Sequence, residues 1–306
     1  MRVSMPPPPD IPFRRTLDVA YGVAEQVTPL IRRVVAENPG PFTHRGTGTY
    51  IVGRGEVAVI DPGPLLAAHI DALAAALDGE RIAHILVTHT HQDHSPASRP
   101  LQAARGGVIA AYGRHGEGRI DRGHKVEEGG DRDFTPDAKV RHGDVILGDG
   151  WTLDCVHTPG HTANHVCYHL REERALFTGD HVMGWSTTIV SPPDGDMAQY
   201  IDSLAHLLGR DDHIYWPTHG PPITEPRPFV GALIAHRTYR AEQIRRCLAA
   251  GIESIALMVP VIYQDLPEGM RSAAGRSVFS TLIDMVERGE AQCAGAFSIE
   301  AKYTPR

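Results

Sequence analysis

The sequence has few cysteines and no long apolar run. The four cysteines, Cys155, Cys167, Cys247 and Cys293, are scattered over 306 residues and form no C-x-x-C pair. This spacing argues against a disulfide framework or a cysteine zinc site, and it predicts a reducing, cytoplasmic location. No segment approaches the roughly 20 apolar residues of a membrane helix, so no membrane partner is expected.

The chain also lacks an excess of positive charge and an apolar leader. Its formal net charge is -7, which is unlike that of proteins that bind nucleic acid or anionic membranes through charge alone. The N-terminal stretch MRVSMPPPPDIPFRR contains no apolar core of the kind a secretory signal needs. Its proline run predicts an extended arm over residues 1–16.

Histidine, by contrast, is abundant and clustered. The chain holds 18 histidines, and the stretch LVTHTHQDHSPA places His89, His91, Asp93 and His94 within six residues. Crowding such polar groups is costly unless a positive charge neutralises and orders them. Four ligand-type side chains from so short a stretch cannot easily reach one tetrahedral ion. They can be divided between two ions, each completed by ligands from elsewhere.

Three further candidate ligands follow at the ends of predicted strands. They are His161 in TPGHTANH, Asp180 in FTGDHV and His219 in PTHGPP, and each lies beside a glycine. Glycine lets the backbone approach a crowded site closely. The sequence therefore predicts a metal site built from these residues and the histidine cluster.

The hydrophobic pattern predicts an α/β domain followed by a smaller helical one. Short strands are predicted at LIRRVVA, GTYIVGRG, EVAVIDPG, HILVTH and VIAAYG, with a helix in PLLAAHIDALAAALDG. Two hairpins follow in 144–160 and 165–180, then the helix DMAQYIDSLAHLLGR and the strand HIYWPTHGP. A polar stretch over 114–137 is predicted to be a long loop, either a lid or a solvated connection. Beyond Arg227, three helical segments and a terminal hairpin suggest a winged-helix-like domain.

The series H-x-H-x-D-H, G-H-T, T-G-D and T-H-G resembles that of the metallo-β-lactamase-fold superfamily, over residues 30–225. The resemblance implies a four-layer αβ/βα sandwich with metals at one edge. It also implies that His89, His91 and His161 hold one metal and that Asp93, His94 and His219 hold the other. Asp180 would bridge the two metals.

Two further positions are interpreted through the same resemblance. Asp61 in VIDPGP matches an early aspartate that hydrogen-bonds a ligand imidazole and fixes its tautomer, although a turn-capping role is the alternative. His165 matches a position that supports the site without ligating.

Several longer segments are similar to the β-lactamase-like protein 2 group, which carries a winged-helix-like C-terminal domain. They include NPGPFTHRGTGTYIVG, FTGDHVMGWSTTIV and LIAHRTYRAEQI. We therefore predict an arm over 1–16, a catalytic domain over 17–228 and a winged-helix-like domain over 229–306. Two residues depart from the group's pattern: Thr90 stands where an aromatic is common, and His181 follows the bridging aspartate. Since neighbours in an extended segment face opposite ways, we expect His181 to point away from the metals.

The predicted function is a dinuclear metal-dependent hydrolase. Two divalent cations, with zinc favoured, would generate a bridging hydroxide, and Asp93, itself a metal ligand, would orient that hydroxide as a catalytic residue. A phosphodiester or RNA substrate ranks first, because some members of the group cleave single-stranded RNA. A thioester ranks next and a lactone or β-lactam third. An iron-dependent oxidoreductase and a non-catalytic binding module are the alternatives from other classes.

The C-terminal segment gives little support to nucleic-acid binding through charge. Residues 229–306 hold nine Lys or Arg and eight Asp or Glu, a net charge of only +1. The partner is therefore expected to be a small-molecule or RNA substrate. Two other roles are open for residues 229–306: covering the active site or forming a homodimer contact.

Overall fold

The computed structural model describes residues 7–123, 129–264 and 266–306. Its first sheet has seven strands in chain order, with antiparallel pairs from β1 to β4 and parallel pairs from β4 to β7. Its strands are β1 (Glu25–Gln26), β2 (Ile31–Val35), β3 (Gly48–Arg54), β4 (Glu56–Ile60), β5 (Arg81–Leu86), β6 (Val108–Ala111) and β7 (Ala138–Lys139). Helices α1 (Ala67–Ala76) and α2 (Ser98–Arg105) belong to the connections that precede β5 and β6.

The second sheet has five strands in the order β12-β11-β10-β9-β8, all antiparallel except the pair β11–β12. Its strands are β8 (Val145–Gly148), β9 (Trp151–His157), β10 (Val166–Leu170), β11 (Ala175–Gly179) and β12 (Ile214–Pro217). Helix α3 (Met197–Leu208) lies between β11 and β12 in the chain. Asp196 caps α3 by accepting a hydrogen bond from the amide of Gln199.

The strands are apolar on both faces, because each sheet is covered on both sides. Along β3, Tyr50 and Val52 enter the cluster between the sheets, while Ile51 packs on the other face against α1. In the second sheet, Tyr168 faces the first sheet and its neighbour Cys167 faces α3. The layers are therefore helices, sheet, sheet and helices, which confirms the predicted four-layer α/β sandwich.

The C-terminal part consists of helices and a short hairpin around its own core. Its elements are α4 (Pro226–Ala249), α5 (Ile255–Ile262), α6 (Arg271–Glu287), β13 (Ala291–Cys293) and β14 (Tyr303–Pro305). Helix α4 enters two cores, since Phe229 and Leu233 pack against α3 whereas Ile244 and Leu248 pack against α5 and α6. The domain boundary predicted between residues 228 and 229 therefore falls within α4, and the boundary stays a prediction.

Two of the sequence-based segments fall partly outside the described residues. In the N-terminal arm, residues 1–6 are not described, and 7–16 have no regular secondary structure. Ile11 of this arm is buried beside α4, and the ring of Phe13 meets that of Phe229 edge-on at 5.8 Å. In the predicted loop over 114–137, residues 124–128 are not described. In the described parts of the chain, no helix is long and apolar enough to cross a membrane.

Candidate metal centre

All seven side chains predicted as metal ligands lie at one edge of the two sheets. The first four follow β5 in a tight turn, in which the amides of His94 and Ser95 donate to the carbonyl of His91. The other three follow strands of the second sheet. They are His161 after β9, Asp180 after β11 and His219 after β12. The fold thus brings residues 130 positions apart in the chain into one cluster.

Three histidines form the first group. His91 Nδ1 lies 3.0 Å from His89 Nε2 and 3.2 Å from His161 Nε2. A tetrahedral ion with bonds of 2.0–2.2 Å places its ligand atoms about 3.4 Å apart. The three nitrogens are therefore spaced as ligands of one ion would be.

Asp93, His94 and His219 form the second group. His219 Nε2 lies 3.0 Å from Asp93 Oδ2, and His94 Nε2 lies 3.6 Å from Asp93 Oδ1. The side chain of Asp93 is 27% exposed whereas that of Asp180 is 11% exposed. Of the two carboxylates, Asp93 is therefore the one more open to an incoming molecule.

Asp180 lies between the two groups. Its Oδ1 is 3.5 Å from His94 Nε2 and 3.4 Å from His219 Nε2, while its Oδ2 is 3.9 Å from His161 Nε2. The backbone turns at Gly179, whose φ of +51° suits glycine. A Cβ at Gly179 would also lie 2.5 Å from the ring of His165. Glycine is thus needed to bring the Asp180 carboxylate up to the histidines.

The remaining ring nitrogen of four of these histidines has a hydrogen-bond partner. Each Nδ1 is held within the protein, so Nε2 is the atom turned toward the cluster. The partners are Thr88 Oγ1 for His89 at 3.1 Å, Asp61 Oδ2 for His94 at 2.9 Å, the Ile189 carbonyl for His161 at 2.7 Å and the Gly46 carbonyl for His219 at 3.2 Å. Such partners fix tautomer and ring orientation in metal sites.

Asp61 is fully buried and connects the site to both sheets. Its Oδ1 accepts a hydrogen bond from the Thr88 amide at 2.7 Å. Its Oδ2 accepts from the hydroxyls of Thr88 and Thr218, each at 2.8 Å, and lies 2.9 Å from His94 Nδ1. Its φ of +49° is one that aspartate tolerates better than most residues. The contact predicted between Asp61 and a ligand imidazole is therefore present.

Burial and neighbouring charges divide the ligands into two kinds. Burial, followed by the influence of His161, lowers the pKa of His91 to about 3. Burial is also the largest cause that lowers the pKa values of His89 and His161. Burial opposes ionisation of Asp93, but the neighbouring His94 and the hydrogen bond with His219 hold its pKa below the ordinary range. Burial also opposes protonation of His94 and His219, but the carboxylates of Asp93 and Asp180 raise the pKa values of both imidazoles. Metals bind neutral imidazoles and ionised carboxylates, so the first group is ready for a cation, whereas a cation at the second group displaces protons from His94 and His219.

Two buried atoms in the cluster have no hydrogen-bond partner. They are His94 Nε2 and Asp180 Oδ1, which face each other across 3.5 Å. Buried polar atoms are rarely left unsatisfied. Together with the donor set and its spacing, this pair indicates that the residues present fit divalent cations.

His165 and His181 lie outside the ligand groups. The His165 ring packs on His89, with centroids 5.2 Å apart, and its Nδ1 lies 2.9 Å from Thr158 Oγ1. His181 is buried against Tyr200, with centroids 4.7 Å apart, and burial lowers its pKa to about 3. His181 thus packs away from the ligand atoms, although the chain turns at Gly179 rather than running straight as the sequence argument assumed.

The cluster opens into a cavity of about 690 Å³ between the sandwich and the C-terminal helices. Its walls are largely apolar, with contributions from both parts of the chain. They include Phe42, Met183, Trp185 and Ile189 from the sandwich, and Tyr263, Leu266, Met270 and Ala273 from the C-terminal part. His236, Arg237 and Arg240 of α4 also line the cavity. The C-terminal helices therefore roof the site.

Several of the groups that support the ligands or line the cavity could not be identified from sequence motifs. The carbonyls of Gly46 and Ile189 act through the backbone, which leaves no residue-type signal. Thr88 precedes the first ligand histidine, and Thr218 precedes the last, so a threonine directly before a ligand histidine was the available signal. His236, Arg237 and Arg240 belong to the segment LIAHRTYRAEQI, but the sequence marks none of them, and only the fold brings them to the cavity.

Comparison with known families agrees with this geometry. Residues 44–219 match the model of the metallo-beta-lactamase superfamily. Residues 254–297 match the model of the beta-lactamase associated winged helix domain. The first match contains all seven ligand-type residues. The second covers α5, α6 and β13.

Individual relatives match most of the chain. A beta-lactamase-like protein 2 homolog of Caenorhabditis elegans is 31% identical over 87% of each chain. An atrochrysone carboxyl ACP thioesterase of Cryptosporiopsis is 30% identical over 73% of this chain, which spans 64% of that relative's length. A solved metallo-beta-lactamase family protein of Thermus thermophilus superposes with a TM-score of 0.73 at 21% identity, over 92% of this chain and all of the other.

Proposed function

Because the chain belongs to the metallo-beta-lactamase superfamily, we propose that it is a metal-dependent hydrolase whose substrate is an acyl thioester. The observation that carries this proposal is the roofed, largely apolar cavity that leads to the ligand cluster. A cavity whose walls are largely apolar suits an acyl group better than it suits a nucleic-acid strand. The proposal therefore ranks thioester above the phosphodiester that sequence similarity placed first.

The relatives support the same substrate class. Several are named as atrochrysone carboxyl ACP thioesterases, with 30–32% identity to this chain. Their names describe a carrier-bound acyl thioester. We transfer only the bond type to this chain, because the acyl group depends on the walls of the cavity.

The chain's seven imidazole and carboxylate ligands would hold two cations. His89, His91 and His161 would bind one, Asp93, His94 and His219 the other, and Asp180 both. Two divalent cations, for which zinc suits the imidazole-rich set, would polarise the thioester carbonyl and lower the pKa of a water molecule toward neutrality. Asp93, the more exposed carboxylate, accepts the hydrogen bond that orients the attacking water.

The cavity walls hold the acyl group and exclude bulk water. Phe42 and Trp185 lie on the side of the sandwich, and Tyr263 and Met270 lie on the roof. A thiol with a pKa near 8.5 leaves as a thiolate without a proton donor. This suits a site in which His181, the histidine next to Asp180, is turned into the core.

A substrate panel tests the proposal. Metal-supplemented protein is assayed against hexanoyl thioesters, a single-stranded RNA, an acyl lactone and a β-lactam. Thiol release from the thioesters is followed with a chromogenic disulfide, and the products of the other three substrates are separated by chromatography. We expect kcat/KM for a thioester to exceed that for the other substrates by at least about 100-fold, the scale on which a site separates substrates by chemical class. Asp180→Asn controls for contaminating activity. Cleavage of RNA without thioester hydrolysis would reverse the ranking.

A further inference from the structure

Three polar residues of one helix look into the cavity from its roof. They are His236, Arg237 and Arg240 of α4, at positions i, i+1 and i+4. They belong to the part of the lining that the C-terminal part of the chain contributes. The proposed hydrolysis uses none of them, so their clustering calls for a separate explanation.

Arg237 is a buried guanidinium without an acidic partner. It is 7% exposed and donates from Nη2 to the carbonyl of Thr188. Its Nε is buried and has no acceptor. No carboxylate of the described residues forms an ion pair with it. Its charge is therefore compensated only by one carbonyl and by the ring of Tyr200, 5.0 Å away.

Arg240 is in a similar position one turn further along the helix. Its Nη1 donates to Gln243 Oε1 at 2.8 Å and to the Ile262 carbonyl at 2.9 Å, and its guanidinium lies 4.4 Å from the centre of the Tyr263 ring. Its Nε is also buried without an acceptor, and among the described residues it has no carboxylate partner. Burial lowers the pKa of Arg240, and the charge of Arg237 acts in the same direction.

Other buried or half-buried arginines of this protein are paired. Arg32 contacts Glu80 at 2.6 Å, Arg33 contacts Glu25 at 2.7 Å and Arg210 contacts Asp212 at 2.7 Å. A buried charge is costly unless it is paired. Arg237 and Arg240 depart from that pattern where they line the cavity.

We propose that Arg237 and Arg240 bind an anionic group of the substrate, a carboxylate or a phosphate, while the thioester lies at the metal ligands. This inference rests on the proposed function, since it names the substrate class of the same site. Guanidinium groups suit carboxylate and phosphate oxygens because their planar N–H donors match both. Neutral His236 adds a polar ring without adding charge, because burial lowers its pKa to about 3.

A purely structural role for Arg237 must be separated from substrate binding. The carbonyl that it contacts belongs to Thr188, whose hydroxyl donates to the Asp180 carbonyl at 2.7 Å. Replacing Arg237 could therefore disturb the metal ligands. Arg240 has no contact with that loop, so Arg240→Gln is the informative variant. Arg245, on the same helix, pairs with Glu290 at 2.8 Å and provides the matched control Arg245→Gln.

The kinetic experiment compares substrates that differ by one anionic group. Hexanoyl and adipyl thioesters of N-acetylcysteamine differ by a terminal carboxylate on the acyl side. Hexanoyl thioesters of pantetheine and phosphopantetheine differ by a phosphate on the thiol side. We expect one anionic member to have a kcat/KM about 10- to 100-fold above its neutral counterpart, as charge-assisted hydrogen bonds would give. Arg240→Gln should bring that ratio near one, mainly through KM, whereas Arg245→Gln should keep it.

A binding measurement separates this inference from the proposed function. Adipate and inorganic phosphate are titrated by calorimetry into protein from which metal and chelator have been removed. Binding by wild type that is lost in Arg240→Gln supports the anion site, even if no thioester is hydrolysed and the proposed function fails. Equal kcat/KM for anionic and neutral thioesters, with no binding of either anion, would overturn the inference while leaving thioester hydrolysis intact. Absence of both hydrolysis and binding would overturn both.

Discussion

Asp61→Asn should selectively weaken metal binding at the second ligand group. The substitution keeps the size of the side chain and its tolerance of the φ of +49° at this position. The amide oxygen of asparagine can still accept from the Thr88 amide. Its NH₂ group, however, then occupies the place of Oδ2, which lies 2.9 Å from His94 Nδ1. A donor at this place favours the tautomer in which His94 Nδ1 accepts and Nε2 carries the proton.

A protonated Nε2 has no lone pair for a cation. For His94 the lost interaction is a hydrogen bond to a charged acceptor, about 1.5–3 kcal/mol, which corresponds to roughly 10- to 150-fold in affinity. The hydroxyls of Thr88 and Thr218 lose the same acceptor. The first group should be affected less, because the Nδ1 of His161 is held by the Ile189 carbonyl, and Thr88, which holds the Nδ1 of His89, keeps its amide hydrogen bond to the remaining oxygen of residue 61. We therefore expect one of two metal equivalents to be lost first.

Chelator competition with elemental analysis measures this difference. Zinc is titrated against a chromophoric chelator for wild type, Asp61→Asn and the exposed control Asp71→Asn on α1. The expected result is a weakened second equivalent in Asp61→Asn only, with a circular dichroism spectrum like that of wild type. If both equivalents bind within twofold of wild type, the buried carboxylate does not set the tautomer of His94 and the reasoning is refuted.

Three further predictions address the rest of the site. Metal-supplemented protein should carry close to two transition-metal equivalents per chain by elemental analysis. Saturation at one equivalent would overturn the dinuclear proposal. A predominance of iron would favour the oxidoreductase alternative. Asp180→Asn should lower thioester turnover by more than about a hundredfold, beyond the usual loss from a residue that only supports a ligand, because its carboxylate faces both ligand groups; normal turnover would show that the bridging role is misassigned. His181→Ala should keep its metal content and lose less than about tenfold in turnover, below the usual contribution of a general acid. A thousandfold loss with metal retained would show that this buried histidine takes part in the chemistry.

The ligand-type residues could be predicted because their spacing is local. His89, His91, Asp93 and His94 are fixed relative to each other by one strand end and one turn. The parallel and antiparallel order of strands then determines which other strand ends join them. The same local patterns predicted most elements, but not the two-residue strands β1 and β7, which are too short to produce an alternating pattern.

Contacts between residues far apart in the chain could not be predicted from the sequence, because they follow no periodic pattern. The Gly46 carbonyl meets His219 across 173 positions, and no side-chain type marks that contact. The same holds for the roof of the cavity, where Arg237 approaches Thr188 from 49 positions away. A guanidinium is ordinarily expected on a solvated helix face, so the burial of Arg237 becomes apparent only when the C-terminal helices are placed over the sandwich.

Helix α4 has a mechanical consequence. Its 24 residues make a rod about 36 Å long that is anchored at one end in the core beside α3 and at the other in the C-terminal core. A stiff rod fixed at both ends does not act as a hinge, because bending it would break consecutive backbone hydrogen bonds. The wall that α4 contributes to the cavity is therefore set when the chain folds, and a substrate meets Arg237 and Arg240 at positions that the two cores fix.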